Sequence, residues 1–388
     1  MKNHIDIALL WFTATTIFSL PFFASDMDFA TAFFEAASAL SSVGITSISD
    51  ENFLFSYRAF LSFVGGILFL ITLPHLISTS DSFKFAIHEN FTVKRTVKTY
   101  FFLYILGVIL YFLFGENLQN SLIISALSVS TAGGINIPEN LIIPASFMMF
   151  LSVIFPLIYV LSDLKYNVTS IIKREQFKVL VTAFSVILLY FSLKDIAVDR
   201  AFFYIVSFIS TTGFLTENVF DLDQRTIYIF FILSFMGGLI GSPGGGIKIF
   251  RLIIIFRILL VELRHTLNPR MVTVIKLNQR PAPNEIIAKV LIFFFLYTSV
   301  IFAFSVVLTL FEIKYEDAAL ISFSLLTTTG ILPLKLKETV LNFGPLLKII
   351  TTFFFMTIRL KIFILFIAIQ YFYEQINSSG VHSWKKQL

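Results

Sequence analysis

A short hydroxyl-rich sequence that ends in glycine occurs four times in this chain. The four tetrapeptides are Ser41-Ser42-Val43-Gly44, Ser130-Thr131-Ala132-Gly133, Ser210-Thr211-Thr212-Gly213 and Thr327-Thr328-Thr329-Gly330. Each one ends a moderately apolar segment of about a dozen residues and precedes, after a short polar stretch, a much longer apolar run. A sequence placed in the same way four times indicates an internal repeat, so the chain must fold into four similar units.

The composition places these repeats in a membrane. Of the 388 residues 57% are hydrophobic and only 14% are charged, and the mean hydropathy is +0.87. The apolar runs reach helix-spanning length and lack the alternation of outer-membrane β-strands, which predicts an all-α integral membrane protein. The net charge of +5 does not predict nucleic-acid binding, because Lys and Arg cluster between the apolar runs, where membrane topology explains them. The absence of cysteine excludes disulfides, thiolate metal sites and cysteine nucleophiles.

The apolar runs predict eight membrane spans, at residues 5–23, 53–77, 96–114, 141–162, 177–193, 226–263, 284–311 and 339–373. The first run is of full span length, which favours a membrane span over a cleaved signal peptide. Alternate gaps between runs hold a short apolar segment: Asp28–Leu40, Asn117–Val129, Asp199–Ile209 and Glu316–Leu326. These segments are too short to cross about 30 Å of hydrocarbon at about 1.5 Å per residue, so we expect them to enter and leave on one side. Their first residues, Asp28, Asn117, Asp199 and the Glu316-Asp317 pair, are suited to capping a helix.

The predicted domains are therefore four repeats of helix, short pore helix and helix, at residues 1–80, 81–165, 166–265 and 266–388. The connectors between repeats are basic and should be cytoplasmic, whereas the segments around the short helices are richer in Asp and Glu and should face outside. The basic connector residues are Lys84, Lys94, Arg95, Lys98, Lys165, Lys173, Arg174, Lys178, Arg264, Arg270, Lys276 and Arg280. Eight spans then place both termini in the cytoplasm of a multi-pass protein of the cell membrane.

The four tetrapeptides have the chemistry of a cation site. Non-helical backbone at membrane depth is tolerated only where it is buried in protein or lines a water-filled path. Backbone carbonyls and hydroxyls can replace the hydration shell of a cation, and glycine allows the left-handed or extended conformations that turn successive carbonyls inward. The carbonyl ends of the short helices add partial negative charge. The alternative is that these small residues only allow close helix packing.

Two further features lie in the later spans. Glycines and a proline between Gly237 and Gly246 should break the sixth run, and we interpret this segment as a flexible gate, with a simple packing kink as the alternative. Lys248 does not make it a phosphate-binding loop, because Ile247 separates the lysine from the last glycine and no strand precedes it. In the eighth run, Arg359 is costly in lipid and should face a pore or a partner.

These residues resemble the bacterial Trk/Ktr potassium-translocating subunits, which are related to the plant and fungal Trk/HKT transporters. The resemblance covers almost the whole chain and implies four repeats around one central ion pathway, arranged like a potassium channel. It implies a selectivity filter that binds K⁺ at Ser42, Val43, Gly44, Thr131, Ala132, Gly133, Thr211, Thr212, Gly213, Thr328, Thr329 and Gly330. It implies a gate at Gly241, Ser242, Pro243, Gly244, Gly245, Gly246 and Arg359. In some plant relatives a serine at the place of Gly44 accompanies sodium transport, so the glycine favours potassium.

The last span departs from the family pattern. The arginine of the family lies in a Gly-Arg-Leu-Glu sequence, whereas Ile358 and Lys361 stand at its two ends here. These departures change the helix contact and the local charge balance that the family pattern would give. We expect Lys361 to extend to the cytoplasmic surface.

The basic segment Glu262–Glu285 resembles Trk-type more than Ktr-type members. It is suited to docking the family's partner, a cytosolic nucleotide-binding ring subunit of the TrkA/KtrA type, or it is simply positive-inside charge. The resemblance implies a homodimer. It places any nucleotide on the partner, so no cofactor is expected in this chain.

The sequence is consistent to different degrees with three function classes: alkali-cation transport, transport of an organic solute, and a membrane enzyme. Potassium uptake is the first, and sodium or mixed alkali-cation transport is its nearest alternative, because the residues before the four glycines are unequal. A secondary transporter of an organic solute would use the broken helix as its binding site and should have broken helices in both halves. A membrane enzyme is not supported, since the chain contains no HExxH, no G-x-S-x-G and no pair of carboxylates within a span.

Overall fold

The computed structural model describes residues 2–48, 53–72, 92–161, 174–194, 196–216, 224–268, 270, 274–278 and 280–359. The described helices are α1 (Lys2–Phe23), α2 (Phe29–Leu40), α3 (Phe53–Thr72), α4 (Val93–Leu113), α5 (Leu118–Ser130), α6 (Ile142–Val153), α7 (Phe155–Leu161), α8 (Glu175–Ser192), α9 (Val198–Ile209), α10 (Gln224–Met236), α11 (Ile249–Leu267), α12 (Asn284–Leu310), α13 (Tyr315–Leu326), α14 (Leu334–Leu341) and α15 (Pro345–Arg359). A 3₁₀ turn at Glu139–Leu141 precedes α6, and strands β1 (Lys276–Leu277) and β2 (Arg280–Pro281) form an antiparallel hairpin.

The chain is a multi-pass membrane protein. Five of the described helices, α1, α3, α4, α8 and α12, are long and apolar enough to cross a membrane. The number is up to seven if each of two bent pairs is one span. The α6–α7 pair, taken with the 3₁₀ turn, bends by 72°, and the α14–α15 pair bends by 107°. The sixth predicted run is divided between α10 and α11, and the part of the eighth run beyond Arg359 lies outside the described residues.

Four short helices, α2, α5, α9 and α13, occupy the places predicted from the apolar segments. Two of them begin at the predicted cap. The Asp28 carboxylate accepts a hydrogen bond from the Thr31 amide, and the Asn117 side chain accepts one from the Asn120 amide. The Thr31 hydroxyl also donates to Asp28, and this bond lowers the pKa of the Asp28 carboxyl.

The predicted caps of the other two short helices are wrong. Helix α9 begins after Ala197 and α13 begins after Lys314, and neither residue forms a side-chain cap. Asp199, Glu316 and Asp317 instead lie in the first turn of their helices. Carboxylates at that position face the unpaired amides of the helix start, so they favour the helix by charge without occupying the capping position.

The short helices are enclosed by long helices of neighbouring repeats. Helix α3 packs against α5, α6 packs against α9, and α15 returns to pack against α2. The remaining contact, between α10 and α13, is aromatic: Phe231 and Phe235 contact Phe323 with ring centroids 5.5 and 5.7 Å apart. Each short helix therefore contacts the long helix that follows the preceding short helix in the chain. The contact of α15 with α2 closes these contacts into a ring.

Candidate ion-binding site

Each short helix ends in the same backbone turn. The second residue of every tetrapeptide is left-handed, with φ of 55°, 56°, 59° and 63° at Ser42, Thr131, Thr211 and Thr328. The amide of this residue donates to a carbonyl in the last turn of the helix. The amide of the next residue donates to the carbonyl one position earlier in that turn. In the first repeat these bonds are Ser42 to Ala39 and Val43 to Ser38, at 2.9 and 2.8 Å. This pair of bonds is a Schellman motif, and it repeats at all four sites.

The left-handed position in these turns is occupied by serine or threonine, where glycine is the usual residue. A non-glycine residue in this conformation costs roughly 1–2 kcal/mol. The predicted conformational role of the glycines is correct in part. Gly213 and Gly330 have positive φ of 77° and 65°, whereas Gly44 and Gly133 lie outside the left-handed region.

Close approach explains the glycines in every repeat. A Cβ at any of the four positions would overlap the backbone of the next tetrapeptide. The shortest distances would be 2.7 Å from Gly44 to the Gly134 nitrogen, 1.9 Å from Gly133 to the Thr212 oxygen, 2.1 Å from Gly213 to the Thr329 oxygen and 2.6 Å from Gly330 to the Gly44 nitrogen. The structure thus brings all four tetrapeptides together in a closed ring in chain order, and only glycine fits where they meet.

Three serines that no sequence motif marked hold the outgoing segment of three of the four loops. The hydroxyls of Ser38, Ser207 and Ser324 donate to the carbonyls of Ile45, Phe214 and Ile331, each at 2.7 Å. Every one of these bonds spans seven residues and reaches the residue after the glycine. This common spacing is a signal in the sequence that a comparison of the four repeats could have revealed.

The second repeat has Leu127 at the equivalent position and is held differently. Its outgoing segment pairs with that of the third repeat through backbone bonds, from the Ile137 amide to the Leu215 carbonyl at 2.7 Å and from the Leu215 amide to the Ile135 carbonyl at 3.2 Å. The four loops therefore share one turn but differ in their support.

The predicted break in the sixth run is present. Helix α10 ends at Met236, followed by Gly237 with φ of 63°. The chain then returns to the end of α10, where the amides of Ile247 and Lys248 donate to the carbonyls of Phe235 and Met236, both at 3.0 Å. Residues 238–245 form a loop that leaves the helix and comes back; we call it the intramembrane loop.

The tip of the intramembrane loop lies directly against the third and fourth tetrapeptides. A Cβ at Gly244 would lie 2.2 Å from the Ser210 carbonyl oxygen, and one at Gly245 would lie 2.3 Å from that of Thr327. The Gly245 amide donates to the Thr211 hydroxyl at 2.7 Å. One left-handed hydroxyl thus binds the loop, and the loop covers one end of the ring.

Arg359 connects the intramembrane loop to the first tetrapeptide. Its guanidinium donates to the Pro243 carbonyl at 2.9 Å and to the Ser42 hydroxyl at 3.0 Å, and it lies over the ring of Phe69 at 4.4 Å. Arg359 is buried in protein, as expected for a cation that avoids lipid. Ile358 lines the small cavity beside it, and Lys361 lies outside the described residues.

Two more buried cations lie beside the same loop. The Lys248 ammonium donates to the Ser242 hydroxyl at 2.8 Å and to the Gly244 carbonyl. Arg251 donates to the Ile247 carbonyl at 2.8 Å and stacks over Phe293 at 3.9 Å. The sequence alone suggested no role for Lys248 beyond the excluded phosphate site and did not single out Arg251. Both side chains line, with Arg359, a cavity of about 30 Å³ under the tetrapeptides.

Comparison with known proteins supports the resemblance. Residues 140–331 match the TrkH family model, described as a cation transport protein. An uncharacterised cation transporter of Methanocaldococcus jannaschii is 28% identical over 329 residues, which are 76% of this chain and 68% of that protein. The Trk system potassium uptake protein TrkG of Escherichia coli is 24% identical over 76% of this chain and 69% of its own length.

A solved structure shares the fold. The crystal structure of the potassium transporter TrkH from Vibrio parahaemolyticus superposes with a TM-score of 0.78, at 20% identity, over 94% of this chain and 84% of that one. The chain is therefore similar to TrkH-type potassium transporters. These relatives are ion transporters and not enzymes.

Proposed function

We propose that this chain is the translocating subunit of a potassium uptake system of the cell membrane. The observation that carries the proposal is the closed ring of four glycine-ended loops, each at the carbonyl end of a short helix. The names of the Trk potassium uptake relatives support K⁺ as the transported ion.

The ring supplies the groups that a dehydrated cation needs. In the proposal the carbonyls and hydroxyls of the four tetrapeptides form the selectivity filter, and α2, α5, α9 and α13 are its pore helices. The partial negative charge at four helix ends favours a cation at the ring. Because K⁺ is larger and more weakly hydrated than Na⁺, a filter of carbonyl dipoles can offset its dehydration more readily.

The intramembrane loop is the gate in this proposal. The loop tip abuts two tetrapeptides, while Lys248, Arg251 and Arg359 place buried positive charge beneath the ring. A cation leaving the filter toward these residues meets both a steric block and electrostatic repulsion. Conduction therefore requires the segment Gly241–Gly246 to move away, which its glycines permit.

The wider architecture is part of the proposal. Eight spans and four pore helices in four repeats would place both termini in the cytoplasm, with the loop on the cytoplasmic side of the filter. The surface around α11 and the β-hairpin then faces the cytoplasm; its exposed residues include Leu263, Arg264, Leu267, Arg270, Lys276 and Arg280. This combination of basic and apolar groups is suited to docking a nucleotide-binding ring subunit on a homodimer of the chain.

Uptake of K⁺, Rb⁺ and Na⁺ in cells that lack their own potassium systems tests the proposal. We expect saturable K⁺ and Rb⁺ uptake, and we expect Gly213→Ser to change the ratio of K⁺ to Na⁺ uptake because the new side chain overlaps the Thr329 carbonyl. Gly344→Ser is the matched control, since a Cβ at Gly344 meets nothing within 4 Å. Unaltered selectivity in a well-expressed Gly213→Ser protein would contradict the filter assignment.

Sodium or mixed alkali-cation transport is the second candidate. The unequal support of the loops favours it, because Leu127 replaces the serine found in the other three repeats. Na⁺ uptake that K⁺ does not inhibit would select this alternative. Transport of an organic solute has less support, since the cavity of about 30 Å³ beside the intramembrane loop is no larger than a water or a bare ion needs.

A further inference from the structure

A buried ion pair lies behind the first tetrapeptide. Arg58, on α3, and Glu35, on α2, are both fully buried, and the Arg58 Nε is 3.4 Å from the Glu35 Oε2. Burying two charges is costly unless further hydrogen bonds satisfy their remaining atoms. The partners of this pair therefore indicate what it stabilises.

The carboxylate of Glu35 holds the segment that follows the tetrapeptide. It accepts hydrogen bonds from the Thr46 hydroxyl at 2.8 Å, from the Ser47 amide at 2.7 Å and from the Ser47 hydroxyl at 2.8 Å. Bonds to an ionised acceptor are stronger than neutral ones. Glu35 thus fixes the chain on the outgoing side of Gly44.

The guanidinium of Arg58 binds the loop backbone itself. One nitrogen donates to the Val43 carbonyl at 2.9 Å, to the Ile45 carbonyl at 3.0 Å and to the Ser38 hydroxyl at 3.2 Å. The Ser38 hydroxyl donates to the same two carbonyls. The carbonyls on both sides of Gly44 are therefore turned toward Arg58, and the conformation of the glycine between them is set by this cation.

The other repeats have no such charge at the equivalent place. Tyr204 of the third repeat bonds to the Thr216 hydroxyl across the same spacing as Glu35 to Ser47, twelve residues. Ile124 and Ile321 stand at the corresponding positions before Gly133 and Gly330. A neutral hydrogen bond supports one loop and apolar packing supports two, so a charged support is a property of the first repeat among these four positions.

We propose that the Glu35–Arg58 pair positions the first loop and determines how the ring discriminates between alkali cations. The proposal rests on the filter function above. With the pair intact, the backbone around Gly44 is held at a fixed distance from the other three loops, and the ring cannot contract around a smaller ion. Without it, the two carbonyls beside Gly44 lose their charged donor and are free to turn, so the ring adapts to Na⁺.

Uptake kinetics of Arg58→Lys, Arg58→Met and Glu35→Gln test this assignment, with the amount of protein in the membrane measured for each variant. A lysine keeps the charge but presents no planar fork, so it cannot hold the carboxylate and both carbonyls together. We expect each variant to raise the KM for K⁺ about tenfold, which is the effect of one charged hydrogen bond, and to lower the ratio of K⁺ to Na⁺ uptake. Tyr204→Phe, which removes the neutral counterpart, should change this ratio less.

The double variant Glu35→Gln with Arg58→Met should be better folded than Arg58→Met alone, because no carboxylate is left buried without its cation. Gly213→Ser serves as the reference for the filter itself. If Gly213→Ser alters selectivity while Arg58→Lys, present at normal abundance, leaves both the KM for K⁺ and the ratio of K⁺ to Na⁺ unchanged, the pair is merely structural and the inference is overturned. If neither variant alters selectivity, the filter assignment fails first.

Discussion

Arg359, at the end of the last described helix, donates a 3.0 Å hydrogen bond to the hydroxyl of Ser42 in the first repeat. Ser42 is the left-handed second residue of the first tetrapeptide. A serine in this conformation costs conformational energy, and its hydroxyl is the group that accepts the hydrogen bond from Arg359. The second bond of the guanidinium, to Pro243, ties the same point to the intramembrane loop. The arginine thus connects the first tetrapeptide and the last described helix to the segment proposed as the gate.

Arg359→Gln should raise the maximal rate of K⁺ uptake, because the loop loses its connection to Ser42 and opens more often. We expect an increase of about threefold, which corresponds to a shift of about 0.7 kcal/mol between closed and open states. Arg251→Gln is the matched control, since it removes an equally buried cation whose described hydrogen bond is to Ile247. Equal increases in both variants would assign the effect to lost charge and not to the bridge.

Lys248→Met should loosen the intramembrane loop, because the Gly244 carbonyl and the Ser242 hydroxyl lose their buried donor. The chain contains no cysteine, so Leu239→Cys introduces a single thiol in the loop. We expect a membrane-permeant thiol reagent to label this cysteine faster in the Lys248→Met background. Lys348→Met is the control, since that lysine binds Thr31 away from the loop. If the cysteine is labelled at the same rate with Lys248 and with Lys248→Met, then Lys248 does not restrain the intramembrane loop.

Ser324→Ala should impair the fourth loop, because the Ile331 carbonyl is left without its hydroxyl donor. The cost of a buried group left unsatisfied is about 1–3 kcal/mol. We expect a lower unfolding temperature in detergent and a smaller ratio of K⁺ to Na⁺ uptake. Ser322→Ala is a matched control on the same helix, because the buried Ser322 hydroxyl has no hydrogen-bond partner among the described residues. A similar loss in both variants would argue against a specific role of the Ser324 bond.

Thr131→Gly and Thr211→Gly should differ in their effect on transport, although both relieve the same left-handed strain. Among the described residues the Thr131 hydroxyl donates to the adjacent Ser130 carbonyl and not to the intramembrane loop, so its loss should leave the loop closed and change the free energy of unfolding by at most about 1 kcal/mol. The Thr211 hydroxyl accepts from the Gly245 amide. Its loss should release the intramembrane loop and increase uptake. Uptake that is equal in the two variants would show that the Thr211 bond does not restrain the loop.

The helical membrane fold and the places of the four short helices could be predicted from the sequence because the apolar runs and the glycine-ended tetrapeptides recur along the chain. The family resemblance and the break near Gly237 followed from the same pattern, and the structure contains both the family fold and the break. Which residues adopt the strained left-handed backbone conformation could not be predicted from the sequence. Side-chain type suggested that glycine would adopt the left-handed conformation. Gly213 and Gly330 do so, but the Schellman turn also places this conformation two residues earlier, on Ser42 and its equivalents.

The supporting contacts were also missed, for a physical reason. Glu35 and Arg58 lie in segments dominated by apolar residues, and their partners are backbone carbonyls and hydroxyls that no sequence pattern marks. An ionisable residue inside a membrane segment is nevertheless a signal by itself. The same reasoning that singled out Arg359 would have singled out Arg58 as well.

The closure of the ring between Gly330 and Gly44 has a consequence for the biogenesis of the protein. The first tetrapeptide leaves the ribosome long before the fourth, and its glycine contacts the fourth loop directly. Until the last repeat has been inserted, the first loop lacks one neighbour and Ser42 lacks Arg359, so its strained turn cannot be fully stabilised. The ring proposed as the filter is therefore complete only after the fourth repeat has been inserted.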